Sequence, residues 1–160
     1  MYVPMSVSGV TVDPITNTPI VILKEINGDK ILPIWIGIME ATAIASALEN
    51  IKFARPMTHD LMKNIMETLD VKVTKVEVCD LRDNTYYALI HLLTKDGKEY
   101  AIDARPSDAL ALSLRVNAPI YVAEEVLIKS AKLSEEAKKS DKWEKILESL
   151  KPEDFGKYKM

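Results

Sequence analysis

Apolar positions along the chain switch between a period of two and a period near 3.6, and these switches predict its elements. Val3, Met5 and Val7 keep one alternating phase, and Val10 and Val12 resume in the other. A phase change across Ser8-Gly9 inside one extended run predicts a strand over residues 2–12 carrying a β-bulge. Residues 13–19 are rich in turn formers and lead to a second apolar strand over 20–26. Asn27-Gly28 tolerates the positive φ of a type I′ turn, so residues 30–37 are expected to return as its hairpin partner. Pro33 cannot donate to a ladder, which puts that strand at an edge or at a bulge.

Helical spacing then takes over. In residues 40–51, Ala41, Ala43, Ile44, Ala45, Ala47, Leu48 and Ile51 occupy most of the circumference, so neighbours are expected close on more than one side. Residues 58–69 carry Leu61, Met62, Ile65, Met66 and Leu69 on one face, with Thr58 the expected N-cap. Residues 71–81 read as a strand with a phase shift, and Asp83-Asn84 turns the chain. Residues 85–94 are nearly all apolar and are expected to form a central strand buried on both faces. Asp96-Gly97 signals another hairpin, with 98–104 as the return strand. An Ala/Leu-rich helix over 106–116 and a short strand over 119–122 complete the core. The expected fold class is α+β: a mixed, mostly antiparallel sheet of hairpins packed with Ala/Leu-rich helices.

The plan occurs twice. Strand, tight turn, strand and small-residue helix follow one another through Asn27-Gly28 to Leu48, and again through Asp96-Gly97 to Leu114, with Ala43–Leu48 lying over Ala109–Leu114. An internal duplication is the reading this suggests, with a site where the two halves meet. From Ala131 the composition turns Lys- and Glu-rich. Residues 1–130 are therefore read as the domain and 131–160 as a C-terminal helical appendage. In that appendage Asp141-x-x-Glu144 resembles a capping box, and Trp143, Ile146, Leu147 and Leu150 share a face. That face makes a homo-oligomer, with a dimer as the first guess, the expected assembly.

Net charge is −3 in 160 residues, which disfavours tight binding of nucleic acid by phosphate neutralisation and leaves only a weakly held nucleic-acid substrate. One cysteine, Cys79, permits no internal disulfide and suits a reducing compartment. The N-terminal residues lack the pattern of a secretory signal, and no apolar run approaches the roughly 18–20 residues of a membrane span. A cytoplasmic protein with no membrane association is the expectation.

Two helix starts hold the candidate chemistry. Ala54-Arg55-Pro56-Met57-Thr58-His59-Asp60 and Ala104-Arg105-Pro106-Ser107-Asp108 each place an arginine, a hydroxyl residue and an aspartate around a helix entrance. Thr58, Ser107 and Asp108 taken singly suit helix capping. The doubled arginine suits phosphate or carboxylate recognition by a planar, bidentate donor. Glu40, Asp60, Asp103 and Asp108 are the acidic candidates. Asp103 and Asp108 flank one strand-to-helix junction, and Glu40 sits at the equivalent one. Carboxylates so placed suit Mg²⁺ or Mn²⁺, with Asp103 and Asp108 the metal candidates, and equally suit ion pairs with Arg55 and Arg105. His59 is a candidate general base. His91, inside an apolar strand, is expected to be a hydrogen-bonded core residue, and Cys79 a strand residue. Gly-rich phosphate loops and zinc spacings are absent from the sequence.

Gly37-x-x-Glu40-Ala41, Arg55-Pro56 with Thr58-His59-Asp60-Leu61, Asp103-Ala104-Arg105-Pro106-Ser107-Asp108-Ala109 and Pro119-Ile120 resemble the bifunctional nuclease domain family. The resemblance covers roughly residues 1–130, and the segment from Asp103 to Ala109 is its most specific part. It implies nuclease activity on DNA and RNA. Some bacterial members carry an added C-terminal motif like that of excision-repair proteins, a pattern residues 131–160 do not show. Three readings stand side by side. The first is a metal-assisted nuclease using Glu40, His59, Asp60, Asp103 and Asp108, with Arg55, Thr58, Arg105 and Ser107 binding the ligand. The second is a non-catalytic oligomeric module binding an anion or a protein partner through the two Ala-Arg-Pro starts. The third is a buried polar network that docks the two halves.

Overall fold

The structure, a computed structural model, describes residues 1–138. In chain order its elements are β1 (Tyr2–Val12), β2 (Pro19–Glu25), β3 (Ile31–Trp35), α1 (Ile38–Leu48), α2 (Thr58–Thr68), β4 (Lys72–Arg82), β5 (Thr85–Leu93), β6 (Glu99–Ala104), α3 (Pro106–Val116), β7 (Ile120–Ala123) and α4 (Glu124–Lys138). The strands form one seven-stranded sheet in the order β3-β2-β1-β7-β4-β5-β6. Only the β7–β4 pairing is parallel, so the fold is the mixed, mostly antiparallel α+β class expected.

The two halves are laid out alike. β1–β2–β3–α1 and β4–β5–β6–α3 are each a three-stranded meander followed by a helix, and the sheet's two edges are their third strands. α1 rests on β1 and β2 as α3 rests on β4 and β5, and the two helices pack together. Small buried residues on both helices (Ala41 and Ala45 in α1, Ala109 and Ala111 in α3) let them approach one another and the sheet. The helix starts align Glu40 with Asp108, each in the first turn, rather than Ala43 with Ala109.

Local chemistry explains most boundaries. The register slips between Val7 and Gly9, the bulge that the phase change requires, and it lets both Met5 and Val10 reach the core. Pro33 lies in β3, an edge strand, where its missing N–H breaks no second ladder. Asp13, buried at the end of β1, accepts hydrogen bonds from Ile15 N–H (2.9 Å) and the Trp35 indole (3.1 Å), tying the β1–β2 turn to the edge strand β3. Burial alone would raise its carboxyl, but these bonds outweigh that and hold it below the usual carboxylate range.

Several expectations are corrected. The Asn27-Gly28 hairpin exists, but neither residue adopts positive φ; the turn is wider and closes through Glu25 N–H to the Lys30 carbonyl. The two-residue turn with both residues left-handed is Asp83-Asn84 (φ 50° and 59°). β5 is not buried on both faces. It is next to an edge, and only Ala88 and Ile90 are buried, because the helices cover a single face of this half of the sheet. Tyr87, Leu89 and His91 point to the other face, where His91 is half-buried and hydrogen-bonded to the buried Glu77 carboxylate. The N-cap of α2 is Met57; Thr58 is already helical, and the Asp60 carboxylate accepts the Met57 N–H at 3.0 Å.

On the predicted apolar face of α2, only Met62 and Met66 reach the core, while Leu61, Ile65 and Leu69 stay exposed. α4 was not expected. It follows β7 without a turn, buries Val126 and Leu127, and runs through Ala131 to Lys138. The Trp143–Leu150 face and the rest of 139–160 lie outside the described residues.

Candidate functional site

Three helices begin around one hollow, and each carries a carboxylate in its first turn: Glu40 in α1, Asp60 in α2 and Asp108 in α3. Acidic side chains at these positions complement the helix dipoles, which is the local reason the sequence places them there. Because α1 and α2 both pack on α3, the three starts converge. The hollow measures about 240 Å³, and its walls include Glu40, His59, Arg105, Asp108, Arg115 and Phe53.

Arg105 is the hub. It is the N-cap residue of α3, held extended (φ −70°, ψ 145°) ahead of Pro106. Its Nε donates to Asp108 Oδ2 at 2.9 Å and one terminal nitrogen to Asp108 Oδ1 at 3.2 Å; the other donates to Glu40 Oε1 at 2.9 Å. These hydrogen bonds raise its pKa further, so it is cationic throughout. Its side chain is nevertheless 63% exposed, so the cluster is open to solvent and is not a sealed docking network. His59, 8% exposed on the first turn of α2, places Nε2 2.9 Å from Asp108 Oδ1. Burial pushes the Asp108 carboxyl up, but hydrogen bonds from Arg105 and His59 outweigh it and hold the group below its ordinary range. With that carboxylate ionised, a neutral His59 carries its proton on Nε2 and presents a lone pair at Nδ1.

Glu40 reaches Arg105 because residue 37 is a glycine. Its carboxylate folds back over the helix start, where a Cβ on Gly37 would lie 2.2 Å from Glu40 Oε2. On the far wall Arg115, from the last turn of α3, donates Nε to Asp60 Oδ1 at 2.8 Å and a terminal nitrogen to the Ala111 carbonyl at 2.8 Å. Burial would raise the Asp60 carboxyl, but the Met57 N–H and Arg115 lower it on balance. Arg115 was missed in the sequence. The available signal was spacing, since Asp108, Ala111 and Arg115 recur at i, i+3 and i+7 on one helical face.

The expected set is thus gathered in part. Glu40, His59, Arg105 and Asp108 share the hollow, Thr58 lines it, and Asp60 supports Arg115 from behind. Ser107 is buried and lines an adjoining hollow that shares Glu40 and Arg105. Arg55 and Asp103 are not brought in. Arg55 is exposed in the loop between α1 and α2 and pairs with no described residue. Asp103 sits opposite Leu89 on the helix-free face of the sheet, so it cannot share a metal ion with Asp108. The acidic pair that does converge, Glu40 and Asp108, is bridged by the Arg105 guanidinium, where a divalent cation would need to lie. Among the described residues no three His, Cys, Asp or Glu side chains are grouped to hold a metal. The donor set therefore does not fit a protein-held Mg²⁺ or Mn²⁺.

No helix among the described residues is long and apolar enough to cross a membrane. An uncharacterised protein of Mycobacterium tuberculosis is 38% identical over 160 aligned residues, covering 93% of this chain and 95% of its own length. Bifunctional nuclease 1 of Oryza sativa subsp. japonica is 30% identical over 105 residues, 64% of this chain and 32% of the rice protein. Bifunctional nuclease 2 of Arabidopsis thaliana is 28% identical over 134 residues, 78% of this chain and 41% of that protein. The chain thus spans well under half of either plant nuclease. The model of the bifunctional nuclease domain matches residues 21–135, a stretch that holds all three helix starts and every residue of the hollow, and the chain belongs to that family.

Proposed function

We propose that this chain is a phosphodiester hydrolase acting on nucleic acid at the hollow between α1, α2 and α3. The carrying observation is the chain of contacts His59–Asp108–Arg105–Glu40, which joins a proton acceptor to an exposed guanidinium on one wall. Arg105 and Arg115 keep unused N–H donors for the non-bridging oxygens of a phosphodiester. His59 Nδ1 removes a proton from the attacking water as its oxygen bonds to phosphorus. The bond from phosphorus to the leaving oxygen breaks, that oxygen takes a proton from solvent water, and the His59 imidazolium returns its proton to solvent to close the cycle. Asp108 orients the imidazole and stabilises the imidazolium that forms, as a carboxylate partner does in other histidine-based sites. In this reading the guanidinium groups supply the charge stabilisation that two-metal nucleases obtain from ions.

The membership and the names of the plant relatives support this reading, and the exposure of Arg105 favours it over a purely structural network. The test is cleavage of labelled DNA and RNA oligonucleotides by the purified chain, with His59→Asn and Arg55→Ala alongside. Loss of cleavage in His59→Asn with near-native rates in Arg55→Ala is the expected result. Phosphate-compound binding with no turnover at all would instead identify an anion-binding module. Cleavage abolished by EDTA would reassign Glu40 and Asp108 to an ion.

A further inference from the structure

Among the exposed large apolar side chains of the described residues, three line the hollow. Phe53 is 45% exposed, Met57 48% and Met39 77%, and all three line the hollow together with His59, Arg105 and Arg115. Exposed apolar side chains beside convergent polar groups in one hollow mark a ligand site. Resting on the hydrolase reading above, we propose that Phe53 and its neighbours form a base-stacking subsite that selects single-stranded nucleic acid.

Charge favours a single strand over a duplex here. A duplex is held chiefly by neutralising many phosphates, and this chain carries a net charge of −3. The cluster itself sets two guanidinium groups against three carboxylates. Single strands can instead be held by stacking on aromatic faces, which every base presents. A phosphodiester seated on Arg105 brings a flanking base to the apolar wall. In a duplex that base is stacked and paired, and it must first be extruded at a cost of a few kcal/mol. Of the hydroxyls that line the hollow, two spend their protons on backbone: Thr42 donates to the Ile38 carbonyl (2.8 Å) and Ser46 to the Thr42 carbonyl (2.6 Å). Because stacking reads the face of a base and not its edge, the subsite takes bases with little sequence preference.

Binding tests this separately from turnover. Fluorescence anisotropy on the full chain carrying His59→Asn would use a labelled 12-nucleotide DNA strand, its RNA counterpart, the DNA duplex and a DNA strand of abasic residues. Both single strands are expected to bind at least roughly tenfold tighter than the duplex or the abasic strand. Adding Phe53→Ala should cost roughly tenfold on the single strands and nothing on the duplex, with Phe53→Trp retaining affinity. Equal affinity for strand and duplex, or an inert Phe53→Ala with unchanged thermal stability, overturns the subsite. Cleavage of strand and duplex alike by the parent chain, with that inert Phe53→Ala, would leave the hydrolase standing and remove the subsite. Strand binding through Phe53 without cleavage by the parent chain would do the reverse.

Discussion

Replacing Asp108 by Asn tests whether the hub of the site both stabilises the fold and orients the base. Its carboxylate accepts two hydrogen bonds from Arg105 and faces His59 Nε2, and it is 29% exposed. A buried hydrogen bond to a charged group contributes about 1.5–3 kcal/mol. Solvent screening discounts that here, and an amide oxygen keeps one acceptor, so a net loss of about 1–2 kcal/mol is expected. For a chain of this size that is roughly 3–6 °C in Tm. The pH dependence has a definite sign. A carboxyl held below its unfolded value contributes stability that is complete above about pH 4, and it is lost as pH falls through the folded value. The gap between parent and Asp108→Asn should therefore be full at pH 7 and shrink in acid, read by scanning calorimetry at both pH values. Nuclease rate should fall by about 10²–10⁴, the range for a mis-set general base. A stability loss with an unaltered cleavage rate would refute the catalytic half of this reasoning. An unaltered Tm would refute the energetic half.

Leu110→Ala, at a fully buried position of α3, should destabilise by about 2–5 kcal/mol in urea titration, the cost of a core cavity. Gly37→Ala introduces a methyl where the Glu40 carboxylate lies; with φ at −77° the backbone accepts it. It should therefore lower the nuclease rate several-fold while moving Tm by less than about 3 °C. Asp13→Asn removes an ionised acceptor that the structure keeps charged; calorimetry should show a loss of about 1–3 kcal/mol at neutral pH that narrows below about pH 4.

Much of the fold was legible because it is written in local rules. The Ser8-Gly9 phase change, the edge-seeking Pro33 and the small faces of α1 and α3 are properties of neighbouring residues, and each lies where those rules put it. What escaped depends on distance. Nothing near residues 85–94 says that one face of their strand has no helix over it. α4 lacks a turn before it and is Lys- and Glu-rich, so its buried Val126 and Leu127 give too narrow a stripe to stand out. At the site, Glu40, His59, Arg105 and Asp108 were found from helix-start chemistry. The doubled Ala-Arg-Pro misled, because Arg105 directly follows a strand and caps α3, whereas Arg55 lies in the α1–α2 loop. Arg115 escaped because its partner Asp60 is 55 residues away in sequence.

Helix ends show how a chain with only five glycines terminates its elements. Asn50, Asp70 and Asn117 follow α1, α2 and α3 in the left-handed region at φ 52°, 56° and 56°. A side chain there costs something in the native state, yet it also narrows the backbone choices open to the denatured chain.

The matched halves have a last consequence, in stoichiometry. Where Arg105 precedes one helix, Gly37 precedes its counterpart, so the layout repeats while the guanidinium at the helix entrance does not. On the hydrolase reading proposed above, one copy of the chain should therefore saturate with one strand, because only one of the two matched entrances offers a guanidinium.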